Sequence, residues 1–144
     1  KNNLKLKIVG AKYKHLNIDN RFTDKNIQYL GNVSNEELID LYLNAKMLVF
    51  PSFYEGFGIP PLEAMYFKCP VLLSNIPVLK EVYGKSAVYF NPYDIQDIKK
   101  NICEIINNDK LRKKIIKLGS QKIKEYSWQR SSKKIITLIQ KIEN

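Results

Sequence analysis

The side chains of this chain with the most chemical capacity lie in one run, FPSFYEGFGIPPLEAM, from Phe50 to Met65. Glu55 and Glu63 flank seven residues that include Gly56, Gly58, Pro60 and Pro61. Glycine permits backbone angles and close approaches that a side chain would block. Proline suits the start of a helix, where its missing amide would have had no partner. A helix starting at Pro61 leaves the amides of Leu62, Glu63 and Ala64 without helical acceptors, and such amides bind anions. The spacing therefore describes a main-chain cradle for a phosphate with a carboxylate on either side. A carboxylate beside a phosphate is unfavourable unless it accepts hydrogen bonds from elsewhere, and vicinal sugar hydroxyls are suitable donors. Glu63 is placed for a ribose and Glu55 for a hexose beyond the phosphates, the two ends of a nucleotide sugar. Plainer roles are open on spacing alone: Glu63 complementing the helix dipole, worth about 0.3–1 kcal/mol, and Glu55 as a solvated loop charge.

The elements that must position this segment alternate between short apolar runs and helical patterns, which specifies an α/β class with a parallel sheet and helices packed on its faces. Five strands are expected, at Leu4 to Val9, Ile27 to Leu30, Met47 to Phe50, Val71 to Leu73 and Ala87 to Phe90. Ser34 with Glu37 forms a capping box that opens a helix carrying Leu38, Leu41 and Tyr42 at helical spacing. A second helix starts at Pro61, and a short helical turn falls around Val78 to Val82. After Asn91-Pro92 the pattern is helical only, with Ile95, Ile98, Ile102, Ile105 and Ile106, then Leu111, Ile115, Ile116 and Leu118. The last helix follows Ser127 with Ile135, Leu138, Ile139 and Ile142 as its stripe, and the lysines between the stripes read as a solvated face.

At 144 residues the chain is expected to form one domain with a core that needs no disulfide or metal. No apolar run approaches the roughly 20 residues that cross a bilayer, and the start lacks a secretion signal, so a soluble, cytoplasmic protein is expected. Cys69 and Cys103 stand apart and His15 is the only histidine, which excludes a zinc cluster and a histidine-based triad; no metal is expected. The net charge of +10 raises nucleic acid as a partner. Lys, Asn and Ile supply 53 of the residues and arginine only Arg21, Arg112 and Arg130, so compositional bias is the simpler source of the charge, and nucleic-acid binding is the minor alternative.

The Glu55 to Glu63 spacing within YEGFGIPPLEAM resembles the signature of family 4 of the retaining glycosyltransferases. The likeness continues in order along the chain, through KLKIVG, IQYLGNVSNEELIDLYLNA, VFPSFYEGFGIPPLEAM, CPVLLSNIPVLKEV, AVYFNPYDIQDI and YSWQRSSKKI. The resemblance implies the C-terminal, Rossmann-like half of a GT-B fold, three layers with helices on both faces of a parallel sheet, binding a nucleoside-diphosphate sugar. It implies retaining transfer of a hexosyl group to a saccharide or lipid-linked acceptor, with no separate cofactor, and leaves open a peripheral association of the full-length protein with the inner face of the cytoplasmic membrane. By position, Glu55 is the catalytic-site residue that holds hexose hydroxyls. The amides of Gly56, Phe57, Gly58 and Ile59 line sugar and diphosphate, the Leu62 amide faces a phosphate and Glu63 holds the ribose. Leu30, Gly31, Asn32 and Val33 border the base, with main-chain groups of Val33 bonding to it. A non-catalytic nucleotide-binding module would share the same cradle.

The family's diphosphate-gripping Arg and Lys belong to a first strand and helix expected to precede Lys1, as does an N-terminal acceptor domain. The chain therefore reads as an excerpt, inactive by itself. Lys80 stands before Glu81 where the family often has proline. Lys12 and Lys14 read as solvated lysines and His15 has no partner pattern. Trp128 is expected to pack the last helix onto the domain, Cys69 to be a small core residue, and Tyr54 to pack against the loop.

Overall fold

The computed structural model describes residues 4–11 and 24–142; Lys12, Lys14 and His15 lie outside the described residues. The chain divides into two compact units, Lys1–Leu41 and Tyr42–Asn144, and the division falls inside a helix.

In the first unit β1 (Leu6–Val9) runs parallel to β2 (Ile27–Gly31), with Leu6 beside Ile27 and a register shift after Ile8. Tyr29 ties the strand ends together, its hydroxyl donating to the Gly10 carbonyl at 2.5 Å while the Gly10 amide donates to Gly31. The expected capping box opens α1 (Asn35–Asn44). The Ser34 amide donates to Glu37 Oε2 at 2.7 Å and the Glu37 amide to Ser34 Oγ at 3.2 Å, which satisfies two helix-start donors reciprocally.

In the second unit β3 (Leu48–Phe50), β4 (Val71–Ser74) and β5 (Val88–Phe90) form a parallel sheet in that order. Every residue of β4 is buried, as expected for a central parallel strand covered on both faces. Strand alternation sends Val49, Leu72, Val88 and Phe90 to one face, where Ile105 of α4 (Ile95–Asn107) and Ile115 of α5 (Asp109–Lys122) close the core. Phe50, on the opposite face, lies beside Leu79 and Tyr83 of α3 (Pro77–Tyr83) and the start of α2 (Ile59–Tyr66). The short turn expected at Val78 to Val82 is thus a full helix, because Pro77 takes its first position and sets it in helical geometry.

The five expected strands are present within one or two residues of their ends, in two parallel groups rather than one sheet among the described residues. Two other expectations are corrected. The second helix starts at Ile59, two residues before Pro61, because Gly58 adopts φ +85° and turns the chain directly into the helix. Trp128 does not pack. Ser127 caps α6 (Trp128–Ile142) through its side-chain oxygen to the Arg130 amide, but Trp128 at the first helical position is 85% exposed and no residue of α6 is buried. Among the described residues, no helix is long and apolar enough to cross a membrane.

Candidate functional site

The loop between β3 and α2 carries Glu55, and each end of it is fixed. At the loop's entrance the Ser52 hydroxyl donates to Glu55 Oε1 at 2.7 Å, so the half-buried carboxylate is held rather than free in solvent. Phe53 stacks obliquely on Tyr93 with ring centroids 5.0 Å apart, and Phe57 meets the Tyr126 ring edge-on at 5.4 Å. Tyr54, expected to pack against the loop, is instead 89% exposed; the flanking phenylalanines do that packing and leave its ring outside.

At the loop's exit Gly58 is buried, and a Cβ there would stand 2.8 Å from Leu79 Cδ2 and 3.6 Å from Phe50. Only glycine combines that close approach with the left-handed backbone. The Tyr83 hydroxyl donates to the Gly58 carbonyl. Burial raises the Tyr83 phenol well above its ordinary range; the nearby Leu62 amide works against that rise, and nearby charge including Glu55 adds to it.

These positions change the expected cradle. With Ile59 as the first helical residue, Pro60 and Pro61 contribute no amide, so Ile59 alone supplies a donor from the first three positions. The amides of Leu62, Glu63 and Ala64, expected to be without helical acceptors, point back along the helix to the carbonyls of Gly58, Ile59 and Pro60, four residues earlier. The amides of Gly56 to Ile59 precede the helical ladder.

Glu63 is the fifth residue of α2, outside the first turn where a helix dipole acts strongly, which removes the plain electrostatic role. Its exposed carboxylate accepts from the Tyr42 hydroxyl at 3.2 Å through Oε2. Burial first, and then the Glu63 charge, raise the Tyr42 phenol, so it stays protonated and remains a donor. A carboxylate steadied by one hydroxyl still has lone pairs for further donors. Glu63 also borders an apolar groove of about 280 Å³ with Leu62, Tyr66, Phe67, Ile123 and Tyr126.

Leu30, Gly31, Asn32 and Val33 belong to the first unit. Gly31 has φ +68° at the end of β2, and Leu30, Asn32 and Val33 line a groove of about 480 Å³ with Glu36, Glu37 and Asp40 of α1. Hydrogen bonds from its own backbone amide and from the Ser34 side chain hold the Glu36 carboxyl below its ordinary range. Cys69 is buried and burial pushes its thiol up to about 11, which makes it a protonated core residue as expected. Lys80 and Glu81 are exposed on α3. Among the described residues no group of three or more His, Cys, Asp or Glu side chains could hold a metal ion.

Three residues with a part in this arrangement escaped the sequence reading. Ser52 carried a signal, since a serine three residues before a glutamate is a familiar local pairing. Tyr42 and Tyr83 carried none: they lie 21 and 25 residues from the groups they bond.

The fold and the glycine loop at a strand-to-helix junction define a Rossmann-like domain of the kind that forms the C-terminal half of GT-B glycosyltransferases. The chain belongs to the family described as Glycosyl transferases group 1, which it matches over residues 1–122. It is 41% identical over 103 residues to the O-antigen chain mannosyltransferase B of Escherichia coli, covering 72% of this chain and 27% of that enzyme. It is 49% identical over 77 residues to the O-antigen chain mannosyltransferase RfbU of Salmonella typhimurium, covering 54% of this chain and 22% of that protein. The crystal structure of a glycosyltransferase from Rickettsia africae superposes on 98% of this chain and 40% of its own length with a TM-score of 0.84 at 21% identity, a likeness of fold. The chain thus spans about a quarter of the length of the two curated relatives.

Proposed function

We propose that this chain is the donor-binding half of a retaining hexosyltransferase that takes its sugar, with mannose first among candidates, from a nucleoside diphosphate. The observation that carries the reading is the pair of carboxylates, Glu55 and Glu63, each accepting from a hydroxyl and standing on either side of the Gly58 junction. The mannosyltransferase names of the relatives favour mannose, and family membership supports the donor class. Glu63 accepts from the ribose, Glu55 from hexose hydroxyls, and the amides of Gly56 to Ile59 face sugar and diphosphate. Leu30 to Val33 border the base.

In retaining transfer by same-face attack, the bond from the anomeric carbon to the diphosphate oxygen breaks. The acceptor hydroxyl oxygen bonds to that carbon on the same face, and its proton passes to the departing diphosphate. No enzymic nucleophile is required in this mechanism. Main-chain donors at the loop stabilise the charge that grows on the leaving group, an interaction stronger in the transition state than in the ground state. The acceptor, a saccharide or lipid-linked sugar, and the basic residues that grip the diphosphate are assigned to the rest of the full-length protein. The chain alone is accordingly proposed to be inactive, since orientation of donor and acceptor together can supply about 7–11 kcal/mol of barrier lowering.

Binding titrations of the full-length protein with UDP, GDP and ADP and their sugar conjugates test the reading. Glu63→Ala is expected to weaken nucleotide and sugar nucleotide alike, by the roughly 1.5–3 kcal/mol of a charged hydrogen bond. Glu55→Ala is expected to weaken the sugar nucleotide while leaving the free nucleotide nearly unchanged. Equal losses for both ligands in the Glu55 variant overturn its assignment to the hexose.

A further inference from the structure

The first turn of α2 is fastened in an unusual way. A helix that begins at Ile59 closes its first hydrogen bond from the Leu62 amide to the Gly58 carbonyl, four residues earlier. The two residues before Leu62 are prolines and have no amide to share the task. The Tyr83 hydroxyl donates to the same Gly58 carbonyl from outside the helix. Tyr83 belongs to α3, and its side chain is completely buried. The junction is therefore bolted to a different helix, 25 residues away in sequence.

We propose that Tyr83 is a positioning residue of the donor site, its hydroxyl pinning the Gly58 carbonyl and so holding the glycine loop in register with α2. It touches no ligand. It acts through Gly58, which joins the loop carrying Glu55 to the helix carrying Glu63. Without this bond, the loop and the first turn gain freedom that donor binding must remove. The part of this inference that concerns the donor rests on the reading proposed above.

A neighbouring phenol supplies the control. The Tyr89 hydroxyl donates to the carbonyls of Leu79 at 3.3 Å and Gly84 at 2.8 Å, both on α3 or its end, and does not reach α2. Tyr83→Phe and Tyr89→Phe each remove one buried or half-buried hydroxyl and keep the ring. In the full-length protein, with whichever of UDP, GDP and ADP the wild type binds and its sugar conjugate, Tyr83→Phe is expected to raise the dissociation constant about 3- to 10-fold, the effect of one hydrogen bond. It is also expected to speed hydrogen exchange at the Leu62 amide by a similar factor. Tyr89→Phe is expected to leave both unchanged even where its melting temperature falls by as much. Glu63→Ala is measured beside them. If Glu63→Ala weakens binding and Tyr83→Phe does not, or if both phenol variants weaken it equally, the positioning role is overturned. If Glu63→Ala leaves binding intact, the donor-site reading fails, and Leu62 exchange alone decides whether Tyr83 pins the junction: unchanged exchange overturns it.

Discussion

The loop that opens α2 and the helix α6 are the two regions richest in side chains that invite a functional reading, and they are organised in opposite ways. α6 carries Arg130, Lys133, Lys134 and Lys141 with no acidic residue, and all of it is exposed. The loop carries a single carboxylate, Glu55, which has a hydroxyl partner, and ends at a glycine that three side chains from other elements surround. A charge on a long solvated side chain keeps its rotamer freedom and is worth little to any one partner. A group already held by a neighbour surrenders less entropy when a ligand arrives. The contrast supports the proposal that the ligand is recognised where polar groups are held in place rather than by the charge of α6.

The largest expected effect comes from filling the space at the junction. Gly58→Ala puts a residue with a Cβ at φ +85°, which costs about 1–2 kcal/mol for the left-handed backbone. Crowding against Leu79 adds about 1–3 kcal/mol more. Urea unfolding of the full-length protein measures it, and a loss below about 0.5 kcal/mol, the range of ordinary surface substitutions, would mean that the junction is no more constrained than α6.

An intermediate effect is expected at alkaline pH. Burial raises the phenols of Tyr42, Tyr83 and Tyr89, the last to about 12 from an ordinary 10. Each phenol holds its proton more tightly folded than unfolded. Its contribution is therefore complete below pH 10 and is lost as pH rises above 10, toward about 12 for Tyr89. Thermal melts between pH 8 and pH 11 are expected to be flat and then to fall, with a shallower fall in Tyr89→Phe. An unchanged slope in that variant would mean that its phenol titrates alike in both states.

The smallest effect is expected on α6. Replacing Lys133, Lys134 and Lys141 together by Gln should change nucleotide affinity by less than about 0.5 kcal/mol. A collapse of nucleotide binding in this variant would reverse the comparison. Gain or loss of oligonucleotide binding would show instead what the charge serves.

Much of the fold was legible because its signals are local. The five apolar runs became strands because a buried parallel strand needs an unbroken apolar stretch, and Val71 to Leu73 supplies one. Ser34 and Glu37 announced α1 because both partners of a capping box lie within one turn. The amphipathic stripe of α6 was legible too, but whether Trp128 would be covered was not, because burial depends on what stands opposite. The helix α2 starts two residues before the expected Pro61 because the left-handed angle of Gly58 makes Ile59 the first helical residue, a backbone choice that the prolines' own preference does not reveal.

The order of elements, the carboxylate pair and the glycine loop between them followed from residue types and spacing, since propensity, periodicity and backbone permissiveness are properties of short segments. The partners that hold those residues came from elsewhere in the chain. Tyr42 reaches Glu63 and Tyr83 reaches the Gly58 carbonyl across more than 20 residues, contacts that exist only once helices pack on a sheet. The backbone angle of Gly58, fixed by its buried surroundings, also decided where the helix begins and so which amides enter its ladder. A hydrogen bond between residues remote in sequence has no local signature. It forms because packing brings two polar groups together away from water, where leaving either one unpaired costs more than the bond itself contributes.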